Sequence, residues 1–111
     1  MIIKTFYAKV VGVTFDNIQE YLPKVKINDK LQPIFEINNP YDKNAVALYH
    51  NNNKIGYLSK DIAHTLNSNH KIDITVTAVT GGNGFSYGCN IFIKIDDGKF
   101  EKNIVDEIFA L

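Results

Sequence analysis

The chain has 111 residues, 45% of them hydrophobic and 22% charged, with 12 basic and 12 acidic side chains and a formal net charge of zero. That composition excludes a disordered or low-complexity chain and predicts one domain over residues 1–111 with a single core. It also argues against coating of duplex DNA by bulk charge, and because all 12 basic side chains are lysines, no arginine fork is present to grip phosphate or guanine.

Residues 2–15 are rich in β-branched and aromatic side chains, with Phe6, Ala8 and Val10 on one face and Tyr7, Lys9 and Val11 on the other, and read as a long first strand. Gly12 inside it predicts a bulge or a close backbone approach. Asp16 or Asn17 then supplies an N-cap for a short helix through Tyr21 and Leu22, which Pro23 limits. Residues 31–37 and 45–49 predict the second and third strands.

The loop between them, Asn38-Asn39-Pro40-Tyr41-Asp42-Lys43-Asn44-Ala45, crowds turn formers around an aromatic and a carboxylate. Pro40 fixes its own φ at about −65° and pushes Asn39 into an extended conformation. Asn38, Asp42 and Asn44 can bond the local backbone through short polar side chains. The loop should be rigid and should hold the Tyr41 ring beside the Asp42 carboxylate.

His50-Asn51-Asn52-Asn53 predicts a turn with asparagines suited to positive φ, returning as a hairpin into a fourth strand over 55–58. Ser59 is placed as an N-cap with Asp61 in the first turn, and Ile62, Ala63 and Leu66 form the apolar stripe of a helix that frays over 67–69. Clean alternation over 72–79 and 89–95 predicts the last two strands, with Gly81-Gly82-Asn83-Gly84 read as a flexible connection. Asp96-Asp97-Gly98 ends the final strand, and Val105, Ile108 and Phe109 fit a closing C-terminal helix. The expected fold is mainly β with short helices. It is a small six-stranded, partly open barrel related to the oligonucleotide-binding barrels, with two helices plus the C-terminal one.

No apolar run approaches the ~18 residues of a membrane helix, and the N-terminus lacks a signal-peptide pattern, so no membrane association and a cytoplasmic location are expected. Cys89 is the only cysteine, which rules out an internal disulfide and places it in the core. His50, His64 and His70 lack the paired spacing of a metal motif. The glycine cluster lacks the Lys-Ser/Thr of a phosphate loop, and Asp96-Asp97 share one turn instead of flanking a cleft. No serine sits in a nucleophile elbow. No cofactor, metal or catalytic residue is therefore expected.

What remains is Tyr41 and Asp42 together with the aromatics Phe15, Tyr57, Phe85 and Tyr87 and the lysines Lys43 and Lys60. A stacked base is worth about 1 to 3 kcal/mol on an aromatic platform, and such platforms need no strongly basic surface when only a few nucleotides are held.

Several of these segments resemble the HIRAN domain family, a module of DNA-repair ATPases that also occurs alone in bacteria and phage. Val10-Val11-Gly12-Val13-Thr14-Phe15 with Asn17 and Gln19 is similar to its opening strand, and Asn38 to Ala45 to its central Asn-Pro-Tyr-Asp-x-Asn-Ala signature. Ile55-Gly56-Tyr57-Leu58 with Lys60 and Ala63 resembles its Gly-Tyr-Leu-Pro element, and Val79-Thr80-Gly81-Gly82 its closing segment. The likeness covers roughly residues 5–95 and implies an oligonucleotide-binding-like barrel that captures the 3′-hydroxyl end of single-stranded DNA. By that likeness Tyr41 stacks on the terminal base, Asp42 accepts the bond from the 3′-hydroxyl and Asn39 lines the pocket. Phe15 and Phe85 are further stacking surfaces. Three positions depart from a DNA-binding relative: Thr14 stands for an arginine, Phe15 for a tyrosine and Tyr57 for a histidine. Phosphate contacts then fall to Lys43 and Lys60, each a point charge.

Two readings stay open on these residues. One is a non-catalytic module for a single-stranded DNA 3′ end in repair or replication, with a DNA-processing protein as a further partner. The other is an adaptor that binds a protein through the same surface or a sheet edge, which the neutral charge and absent arginine favour.

Overall fold

The chain is described by a computed structural model covering residues 1–15 and 17–99. Alternation fixes its centre: in β6 (Phe85–Asp96), Cys89, Ile91, Ile93 and Ile95 are buried while Asn90, Phe92 and Lys94 take the other face. β6 lies between β1 (Ile2–Lys9) and β5 (Lys71–Gly82), and β2 (Lys30–Phe35), β3 (Val46–His50) and β4 (Asn53–Tyr57) continue the sheet. All neighbours are antiparallel, in the order β1-β6-β5-β2-β3-β4.

The two edge strands do not stay apart. Just beyond β1, Val11 pairs with Tyr57 of β4 through two backbone hydrogen bonds of 2.9 Å, so the sheet curls into the partly open barrel that the alternation predicts. Two one-turn helices, α1 (Ile18–Tyr21) after β1 and α2 (Lys60–Ala63) after β4, and a 3₁₀ turn over Leu22–Lys24 complete the described fold. None of the described helices is long and apolar enough to cross a membrane.

Leu22, Leu48, Ile55, Ile74, Val76, Ile91 and Ile93 fill the core without measurable exposure beyond 1%. On the outer face Tyr7 meets its cross-strand partner Phe92 edge-on, with ring centroids 4.8 Å apart. Cys89 is buried, and burial pushes its thiol up to about 11. A thiol reagent at neutral pH should leave Cys89 unmodified in the folded protein and label it in denaturant. Fast labelling of the native chain would contradict this packing.

Several expected boundaries are corrected. The first strand ends at Lys9, not Phe15, because Val10 still bonds Cys89 but Val11 changes partner to Tyr57, and Gly12 then turns with φ +72°. The Gly81–Gly84 segment is no flexible connection. Strands β5 and β6 run on to Gly82 and Phe85, and Asn83-Gly84, both at positive φ, make a two-residue hairpin turn between them. The hairpin at Asn51-Asn52 has the expected positive φ values, 47° and 70°. His50, expected in that turn, is instead the buried last residue of β3, where its ring bonds Tyr21 Oη at 2.6 Å and Asp29 Oδ2 at 2.8 Å. The second helix is a single turn; Leu66 lies beyond it yet still packs on the core. Asn17 occupies the first helix's N-cap position without a side-chain bond. The Asp16 cap and the C-terminal helix with Val105, Ile108 and Phe109 lie outside the described residues.

Candidate functional site

Between β2 and β3 the chain turns on one side chain. Asn39 Oδ1 accepts from the backbone N–H groups of both Tyr41, at 2.8 Å, and Asp42, at 3.0 Å, while its Nδ2 donates to Glu36 Oε1 at 3.0 Å. Pro40 sits inside this turn and cannot compete as a donor. Asp42 Oδ1 in turn accepts from the Asn44 N–H at 2.9 Å. The loop is thus held by its own short polar side chains, as its composition predicts. It presents the Tyr41 ring almost wholly to solvent, at 93% exposure, and leaves the Asp42 side chain 14% exposed.

A bulge in β4 builds the floor. Leu48 faces Gly56 and Tyr49 faces Lys54, so Ile55 is the extra residue. It lets Lys54 and Tyr57, which a regular strand would send to opposite faces, reach each other. Lys54 Nζ donates to Glu36 Oε2 at 2.8 Å and to Tyr57 Oη at 3.0 Å, and the Tyr57 hydroxyl donates to Glu36 Oε1 at 2.9 Å. The ammonium also lies 5.0 Å from the Tyr57 ring centroid.

The turn after β1 contributes a further wall. Gln19 Nε2 donates to Val13 O at 2.8 Å and to Tyr87 O at 2.9 Å, and its Oε1 accepts from the Tyr87 N–H at 2.7 Å, which clamps that turn to β6. Gly12 fits between two rings: a Cβ there would lie 3.5 Å from both Phe15 and Tyr57.

These walls enclose an open, mostly apolar cleft of about 600 Å³. Gly12 and Phe15 from the turn after β1, Asn39, Tyr41 and Asp42 from the β2–β3 loop, Lys54 and Tyr57 from β4, and Lys60 from α2 line it together. The backbone N–H of Asn44, followed by the hydrogen bond from His64, holds the Asp42 carboxyl below the usual carboxylate range. For Glu36, burial works to raise the carboxyl, but the bonds from Lys54, Asn39 and Tyr57 outweigh it and the result is lowered. Lys54 is raised, first by Glu36 and then by Tyr57. The cleft therefore carries fixed charges at neutral pH: an ionised Asp42 beside the exposed ring and a neutralised Glu36–Lys54 pair beneath.

Of the residues expected from the sequence, Phe15, Asn39, Tyr41, Asp42, Tyr57 and Lys60 come together here. Thr14 and Lys43 are exposed but do not line the cleft. Phe85, 79% exposed, sits at the β5–β6 turn and does not line it either. Sequence reasoning missed Glu36, Lys54 and His64. The first two could be found only from the β4 bulge. His64 reaches Asp42 across 22 positions of chain, a contact with no local signature.

A family model described as the HIRAN domain matches residues 3–96. Among solved structures, the chain is similar to the HIRAN domain of human HLTF, with a TM-score of 0.66 and 25% identity, covering 85% of this chain and 76% of that one. It also shares the fold of a protein from Lactobacillus plantarum, with a TM-score of 0.64 and 18% identity, covering 86% and 95%. No curated protein matches the chain.

Proposed function

This chain belongs to the HIRAN domain family, known as DNA-binding modules, and from that premise we propose that it is a non-catalytic module gripping the 3′-hydroxyl end of single-stranded DNA, in bacterial or phage repair or replication. The observation that carries this reading is that an almost fully exposed Tyr41 ring, a hydrogen-bonded, ionised Asp42 and the exposed Phe15 ring line one apolar cleft.

The terminal base stacks on Tyr41, with Phe15 as the facing surface, and Tyr57 closes the floor. Asp42 accepts a hydrogen bond from the 3′-hydroxyl, Asn39 fixes the turn that aims it, and Lys60 meets the nearest phosphate. Thr14, Lys43 and Phe85 lie outside the cleft and serve, in this reading, only the strand leading away from it. A 3′-phosphate adds a charge of about −1.5 to −2 next to Asp42 and is repelled.

Fluorescence anisotropy with oligonucleotides that differ only at that end tests this. The native protein should prefer the hydroxyl about tenfold, and Asp42→Ala should bring the two affinities together. Equal binding of both ends by the native chain would overturn end recognition.

One observation favours the protein adaptor instead: β1 is an edge strand with Ile2, Ile3 and Tyr7 exposed along it. The salt dependence separates the two, because DNA held through one or two phosphates weakens with a log–log slope of about −1, whereas an apolar protein contact changes little.

A further inference from the structure

The Asp42 carboxylate has a partner that the end-binding reading does not use. His64 Nε2 lies 3.2 Å from Asp42 Oδ1 and 3.1 Å from Oδ2, and since a carboxylate only accepts, the imidazole donates. The backbone that carries the ring is held in place: Ser59 Oγ caps α2 by accepting from the Ile62 N–H at 3.4 Å, Ala63 is buried, and the His64 N–H donates to Lys60 O at 3.0 Å. The imidazole is 48% exposed while the carboxylate it bonds is 14% exposed, so the ring is the water-accessible member of the pair.

We propose that His64 is the positioning residue that sets end selectivity: neutral, it fixes the Asp42 carboxylate as acceptor for a 3′-hydroxyl; protonated, it offsets that charge and admits a 3′-phosphate. The inference rests on the reading of Asp42 as the end-recognising acid. The charged side chains on the two elements that meet here are Glu36, Asp42 and Lys43 on the β2–β3 loop and Lys60 and Asp61 on α2; Glu36 is already paired with Lys54 of β4, and only Asp42 among them hydrogen-bonds the ring. Counted with Lys54, these charges balance, so an imidazolium leaves the patch with one positive charge in excess. Asp42 itself is held below the usual carboxylate range by the Asn44 N–H and by His64, so it is the ionised, accepting partner of the pair.

The test compares hydroxyl-ended and phosphate-ended oligonucleotides at about pH 7.5 and about pH 5.5 with the native protein, His64→Gln and His64→Ala. Glutamine keeps an N–H donor but cannot titrate. The native preference for the hydroxyl should fall from about tenfold to threefold or less on acidification, while His64→Gln keeps most of it. His64→Ala should bind the hydroxyl end about 3- to 10-fold more weakly at the higher pH. The probe phosphate gains a proton near about pH 6, but it does so equally for every variant. A native preference that declines in parallel with that of His64→Gln overturns the role of His64 alone. If the native chain shows no preference at the higher pH, both this inference and the end-recognition reading fall.

Discussion

Gly56→Ala should lower the stability of the fold by about 3 kcal/mol or more, a loss of roughly 15 °C in Tm. Gly56 has φ +147°, and a Cβ there would stand 2.4 Å from the Val11 carbonyl oxygen and 2.6 Å from Val10 Cγ1. The carbonyl cannot move away freely, because it accepts the Tyr57 N–H that closes the sheet's two edges onto each other. Gly88→Ala is the control. Its Cβ would approach only the Thr80 hydroxyl, at 2.9 Å, which can rotate aside, so the cost should stay within about 1 kcal/mol. Calorimetry on the two variants decides the matter; similar melting temperatures would show that the Val11–Tyr57 closure is not what holds the barrel.

Tyr41→Ala should act on the opposite quantity. With 93% of its surface exposed, the ring contributes little to folding, and the turn that carries it is held through its backbone N–H, which alanine retains. The melting temperature should therefore move by no more than about 2 °C. Affinity for a short single-stranded oligonucleotide should fall about 5- to 100-fold, the range for removing one stacked base. Phe15→Ala should weaken binding in the same direction, and the double variant shows whether the two rings clasp one base or two. Unchanged affinity in Tyr41→Ala would remove the ring from the binding account.

The elements that could be read from the chain are those whose signal is local. Alternation placed the inward face of β6, Asn51-Asn52 marked a hairpin, and the polar side chains around Pro40 were enough to expect a rigid loop holding Tyr41 and Asp42 together. The misreadings share a different cause. Residues 10–15 have the composition of a strand, and only the curl of the whole sheet decides that Val11 abandons β6 for β4. The Lys54–Tyr57 pairing needs a bulge that hydrophobic periodicity does not reveal, and the His64–Asp42 contact joins a helix end to a distant loop. At Asn83-Gly84 the hairpin dipeptide was present but was merged with the two glycines before it.

Pro40 has one more effect, on chemical lifetime. Asparagine side chains are lost when the backbone nitrogen of the following residue attacks the side-chain carbonyl carbon and expels ammonia. Proline has no N–H for that attack, so the Asn39 amide, whose oxygen orients both Tyr41 and Asp42, sits at a bond where this route to ageing is closed. Asn83, followed by Gly84 in an exposed turn, has no such shield. Spontaneous deamidation thus falls on the hairpin tip and spares the amide that shapes the cleft.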